Sequence, residues 1–154
     1  MNKFTDDKKY RDVEYSLFNY KKNLACLDIL REDLKVLQAS TDVKAQNYDN
    51  PFSENLMPSD PVVSRAVRIE TVENKIKQLE RNTKPITCLE LDLSSNDVLK
   101  NSPNKDLLNI LRFFYFANNP VDLVVIELNL SRTTFYERRR KLVFKALGYF
   151  CNLF

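Results

Sequence analysis

The chain has no histidine and only one glycine, Gly148, in 154 residues. Without histidine it lacks the usual general base at neutral pH and the commonest metal ligand. With one glycine it has neither a P-loop nor a dinucleotide fingerprint, and the scarcity argues against a β-rich fold of many tight turns. The three cysteines, Cys26, Cys88 and Cys151, are far apart and form no Cys-x-x-Cys pair. They read as small buried hydrophobes rather than as a zinc site or a disulfide framework. No apolar run is long enough to span a bilayer. Residues 1–9 hold no apolar signal-peptide core, so a cytoplasmic location is the default. Carboxylates are scattered, and only Glu90 and Asp92, on an extended segment, would share a side. No catalytic, cofactor or metal constellation emerges, which argues against an enzyme.

Helical patterning is what the chain does have. An apolar content of 44% and a charged content of 29% fit a folded domain or two small ones. Val13, Leu17, Tyr20, Leu24 and Leu27, continued by Leu30, Leu34 and Leu37, recur at spacings of three and four. They predict one helix from about Tyr10 to Gln38, roughly 40 Å long at 1.5 Å per residue. Asn50-Pro51, Pro58 and Asp60-Pro61 make 39–60 a polar loop. Pro61 then starts a second helix to about Arg81, with Val62, Ala66, Ile69, Val72, Ile76 and Leu79 as its stripe. Neither stripe can be covered by its own helix, so the two are expected to pair as a coiled-coil-like antiparallel hairpin over 1–82, serving oligomerisation. Residues 83–103 read as a linker. Ile86 to Leu93 alternates like a short strand, and a short helix is the competing reading. Leu107, Leu108, Ile110, Leu111, Phe113, Phe114 and Phe116 form a dense apolar helix that opens a domain over 104–154. The fold class is therefore all-α.

The stretch with the most specific chemistry lies at 119–148. Asn119 and Pro120 cap and start a helix, with Asp122 adding negative charge to its first turn. Leu123, Ile126 and Leu128 supply apolar contacts for an adjoining helix. Asn129 suits the left-handed conformation of a tight turn, and Ser131 caps the next helix. On that helix Phe135, Leu142 and Ala146 share one face with Val143 beside it, and the Arg138 stem packs near them. The other face carries Arg132, Thr133, Tyr136, Glu137 and Arg140. From Ser131 to Lys145 there are six basic residues and one acidic, a local charge of +5 in a chain of net +3. The basic balance thus belongs to one helix, as expected where a helix meets a polyanion. Two helices joined by a very short turn, the second basic, are the layout of a DNA-binding helix-turn-helix. The uncharged tail from Gly148 to Phe154 folds back or forms a partner surface.

The run Leu128-Asn-Leu-Ser-Arg-Thr-Thr-Phe-Tyr136, followed by Glu137 and Arg138-Arg-Arg-Lys141, resembles the RinA/ArpU-type late transcription regulators of phages and prophages of Gram-positive bacteria. Their C-terminal unit is similar to the promoter-reading fourth region of sigma factors. The chain departs from that pattern at Asn129, where glycine is usual, and at Arg138, a commonly apolar position. The resemblance implies a nucleoid-associated activator of late operons that binds double-stranded DNA, works with the host RNA polymerase and needs no cofactor. It implies Ser131 as the cap of the recognition helix. Arg132, Thr133, Tyr136, Glu137 and Arg140 would face the groove, and Arg139 and Lys141 the phosphates. Two other readings compete: a coiled-coil adaptor whose basic helix meets an acidic protein, and a packaging factor like a small terminase subunit.

Overall fold

The computed structural model describes residues 3–45, 61–95 and 103–152. Among them there is no strand. The helices are α1 (Lys3–Ala45), α2 (Pro61–Ser95), α3 (Pro103–Ile110), a π-helical turn (Leu111–Phe116), α4 (Val121–Glu127) and α5 (Arg132–Cys151). No described helix is long and apolar enough to cross a membrane. The all-α fold, with a long N-terminal helix followed by a helical C-terminal region, is as the patterning predicts. The predicted loop over 39–60 is helical as far as Ala45, and its remainder lies outside the described residues.

Contacts divide the chain into two compact units, Leu24–Glu80 and a second made of Met1–Asn23 with Arg81–Phe154. The expected partition at 82 and 104 is not the one the contacts make. In Leu24–Glu80, α1 and α2 lie side by side, with Leu27 and Ile76 buried and Leu24, Leu30, Leu34, Leu37, Ile69, Val72 and Leu79 half-buried. Ala66, expected in the stripe, is exposed. Arg31 donates to Glu80 across the pair at 3.1 Å.

In the other unit the expected linker is helix as far as Ser95, and 96–102 lie outside the described residues. Helix α2 runs through Pro85 to Ser95, fourteen residues beyond Arg81. A proline inside a helix costs about 3 kcal/mol, because it lacks an N–H and crowds the preceding turn. Ile86, Leu89 and Leu93 offset that cost: all three are buried, at about 1.5–3 kcal/mol each. The alternation that suggested a strand also contains Leu91, which the helix leaves 65% exposed. Burial at spacings of three and four therefore outweighed the period of two. The same unit draws in Val13, Leu17 and Tyr20 from α1, and the Tyr20 hydroxyl shares a 2.9 Å hydrogen bond with Thr87 Oγ1.

Helix α3 passes into the π-helical turn at Leu111, and the widened turn closes with the Ala117 N–H on the Arg112 carbonyl at 3.0 Å. A π turn spreads successive side chains further round the axis. Here Leu111, Phe114 and Tyr115 are all buried, while Phe113 of the predicted apolar block is partly exposed. Phe114 meets Phe135 edge-on at 5.2 Å between centroids, and Phe18 lies 4.7 Å from Tyr115. Such tilted pairs add to area burial. Phe135, Leu142, Val143, Ala146 and Phe150 of α5 complete this core. Gly148 does not end α5, which continues to Cys151 with Phe150 buried, so the part of the tail that is described packs as helix. Cys26 is half-buried, but Cys88 and Cys151 are exposed, contrary to the expectation of buried thiols.

Candidate nucleic-acid interface

The turn between α4 and α5 sets everything downstream of it. Asn129 adopts φ 51°, the left-handed conformation its sequence position predicts. The Leu130 N–H reaches the Val125 carbonyl at 3.0 Å and the Asn129 N–H reaches Ile126 at 3.2 Å. This pair of bonds is a Schellman cap, which satisfies carbonyls that the end of α4 would otherwise leave open. Ser131 then caps α5 with extended backbone, its Oγ accepting the Thr134 N–H at 3.1 Å. The start of α4 differs from expectation. Pro120, not Asn119, is the cap residue, and no side chain caps it; the Pro120 carbonyl accepts from Leu123 and Val124. Proline's fixed φ suffices to direct the chain. Helix α4 also buries a different residue from those expected. Val124 faces the core, while Leu123 and Ile126 are exposed.

On α5 the predicted site residues separate into two groups. Arg132, Thr133, Tyr136, Glu137, Arg140 and Lys141 are all exposed. Their spacing places them on a single face of the helix, beginning at its capped end. Arg139 is the exception. Expected to face phosphates, it instead turns to α1, where its Nε lies 2.8 Å from Glu14 Oε1 and a second guanidinium nitrogen 2.5 Å from the same oxygen. The Tyr115 hydroxyl donates to that oxygen too, at 2.8 Å. Burial alone disfavours the Arg139 charge, but the hydrogen bonds and charges of Tyr115 and Glu14 outweigh it and raise its pKa. Burial, then Glu14, pushes the Tyr115 hydroxyl pKa well above its ordinary value. Both groups are thus held as donors. The physical reason for the correction is rotational: Arg139 sits beside the apolar Phe135 and Ala146 face, one step round the helix from Arg140.

Charge on α5 is largely answered from within the protein. Arg132 pairs with Asp122, Arg138 with Asp106, Arg139 with Glu14, and Lys145 with Asp92 at 3.5 Å. Asp92 also accepts the Tyr149 hydroxyl at 2.5 Å, and that hydrogen bond, with Lys145 nearby, holds its carboxyl below the usual range despite some desolvation. Arg140 and Lys141 have no ion-pair partner among the described residues, and the Arg140 guanidinium lies 5.7 Å from the Phe144 ring centroid. The +5 counted along the sequence therefore overstates the charge on offer. Glu14, Asp92 and Asp106 were missed because nothing local marks them; the only signal was that the rest of the chain had to be net acidic. The Arg132–Asp122 pair is exposed on both sides, so water and salt screen it, and opening it costs under about 1 kcal/mol. On α5 that leaves Arg140 and Lys141, with Arg132 once its exposed pair opens, as the cations able to meet an outside anion.

No curated protein matches the chain, and no solved structure does. A family model does, over residues 66–147, from within α2 to near the end of α5. The match covers more than half of the sequence and includes the whole of α3, the π turn and α4, so the chain belongs to the family described as Protein of unknown function (DUF1492).

Proposed function

We propose that this protein is a sequence-specific DNA-binding transcriptional activator of phage or prophage late genes, acting with the host RNA polymerase. The observation that carries the reading is the exposed face at the start of α5. There Arg132, Thr133, Tyr136, Glu137, Arg140 and Lys141 follow a serine cap and a left-handed asparagine turn. Arginine, threonine and glutamate can read base edges in a major groove, and lysine and arginine can hold phosphates. The free N–H groups at the capped end favour phosphate as well. Arg139 takes no part, because it is committed to Glu14. The polymerase and the late-gene setting rest on the family resemblance of residues 128–147.

The test is selection from a random duplex library, followed by anisotropy titration across salt. Arg140→Ala is expected to weaken the selected site by about 1–3 kcal/mol, and to leave thermal stability unchanged. Affinity independent of salt, or equal in the variant, would refute the reading, since phosphate contacts release counterions.

The coiled-coil adaptor is the second reading, and one observation favours it: Ile29, Val36, Val63 and Val67 of the hairpin are exposed. It predicts concentration-dependent association and no saturable binding to duplex DNA at physiological salt.

A further inference from the structure

Helix α4 has only seven residues, and one of its sides is unaccounted for. Val124 is its buried residue, and Val121 and Val125 are half-buried. The opposite side carries Asp122, Leu123, Ile126 and Glu127, which are all exposed. Helical spacing makes these four neighbours, with Leu123 and Ile126 between the two carboxylates. Ile126 is 75% exposed and Leu123 43%. At this exposure Ile126 gains little from the fold, and with the exposed part of Leu123 it makes a patch rather than a scattered residue.

The flanking charges say what kind of surface fits. A phosphate backbone is repelled by Asp122 and Glu127, so this side of α4 does not suit DNA. An apolar centre with a charged rim is the layout of a protein interface, and carboxylates at the rim select a partner carrying cations. We propose that the exposed side of α4, Leu123 and Ile126 between Asp122 and Glu127, docks an amphipathic segment of another protein that presents leucine-like side chains beside lysine or arginine. Docking itself goes beyond the DNA-binding reading and does not depend on it. A link to DNA does rest on that reading. Arg132 neutralises Asp122 across an exposed pair; a phosphate that captures Arg132 leaves Asp122 free for the partner's cation. By reciprocity, each ligand then strengthens the other.

The experiment uses the full chain, isotopically labelled, titrated with a synthetic amphipathic leucine–lysine peptide and with a leucine–glutamate peptide of equal length. Amide shifts caused by the first peptide are expected to cluster at 122–127, with none from the second. Ile126→Ser and Leu123→Ser, checked for unchanged circular dichroism, are expected to weaken binding at least tenfold, and Glu127→Lys to weaken it further at low salt. Shifts spread over acidic residues elsewhere, or persisting in Ile126→Ser, would show simple charge attraction and overturn the proposal. A smaller sedimenting species for Ile126→Ser would show that a second copy of the chain covers the patch, and would overturn it too. So would a loss of DNA affinity in Ile126→Ser, which would place this side of α4 against the duplex. If instead Arg140→Ala leaves DNA binding intact while the peptide result holds, the DNA reading fails and the docking surface stands.

Discussion

Leu24–Glu80 and the unit formed by the two ends of the chain draw on the same two helices, α1 and α2, yet they are stabilised very differently. Among the described residues the first buries two large hydrophobics, Leu27 and Ile76. The second buries seventeen, from Val13 to Phe150, and Ala146 besides. Two helices lying side by side can cover only one stripe each, and the rest of both surfaces stays wet. Short helices that cross several neighbours cover one another on more than one side. The lesson is that a regular heptad-like stripe over many turns can signal a thin core. A dense, irregular apolar block such as Leu107 to Phe116 signals a thick one. The candidate DNA-facing helix belongs to the well-packed unit, as a recognition surface requires if its side chains are to be held in place.

The sharpest way to break this comparison is to remove one core side chain from each unit. Phe135→Ala takes a fully buried ring away from Phe114 and is expected to cost about 3–5 kcal/mol. Leu27→Ala is expected to cost about 2 kcal/mol, at the low end for a buried leucine, because sparse surroundings collapse more readily. Urea denaturation followed by circular dichroism measures both, and equal losses would show that the hairpin is as tightly packed as the other unit.

Glu14→Gln comes next. It removes the carboxylate that Arg139 and Tyr115 share. A half-buried cation left with weaker acceptors should cost about 1–3 kcal/mol. The Arg139 guanidinium, then freed, should not raise the salt dependence of DNA binding if its role is to fix the rotation of α5. An increase of about one counterion in the salt slope would show that Arg139 was being withheld from phosphate.

Ser131→Ala should cost about 1 kcal/mol, since the Thr134 N–H loses its acceptor. Its DNA affinity should fall alongside, because the first turn of α5 carries Arg132 and Thr133.

The smallest effect concerns pH. The Asp92 carboxyl is held below its ordinary pKa by the Tyr149 hydrogen bond and by Lys145. Its contribution is therefore fully present above the ordinary carboxylate pKa of about 3.9, and is lost as pH falls through the lower folded value. Conversely, the Tyr149 hydroxyl, pushed up to about 12 mainly by that same hydrogen bond, should titrate late. Asp92→Asn should flatten the acid limb of stability slightly and move the Tyr149 absorbance titration toward 10.

Several elements could be read from residue order because their causes are local. Asn129 and Ser131 state their own conformations: one tolerates a left-handed backbone, and the other carries the oxygen that caps a helix. The exposed group of Arg132, Thr133, Tyr136, Glu137, Arg140 and Lys141 followed from spacing on a single helix. The apolar face with Phe135, Leu142 and Ala146 did so too. Elsewhere local pattern was ambiguous. Ile86 to Leu93 satisfied a period of two as well as a helical one, and Pro85 weighed against helix. Only burial of Ile86, Leu89 and Leu93 against the rest of the core decided it.

Residue order alone therefore settled an all-helical chain, its cap and turn before α5, and the side of α5 that points outward at its start. Tertiary structure alone decided which cations on α5 remain available. Glu14 meets Arg139 across 125 positions of sequence, and a periodic pattern carries no information about partners so far apart. It also decided that α4 turns Val124 inward and leaves Ile126 in water. Both outcomes depend on how one helix is rotated against its neighbours, which is fixed by the packing of several side chains at once.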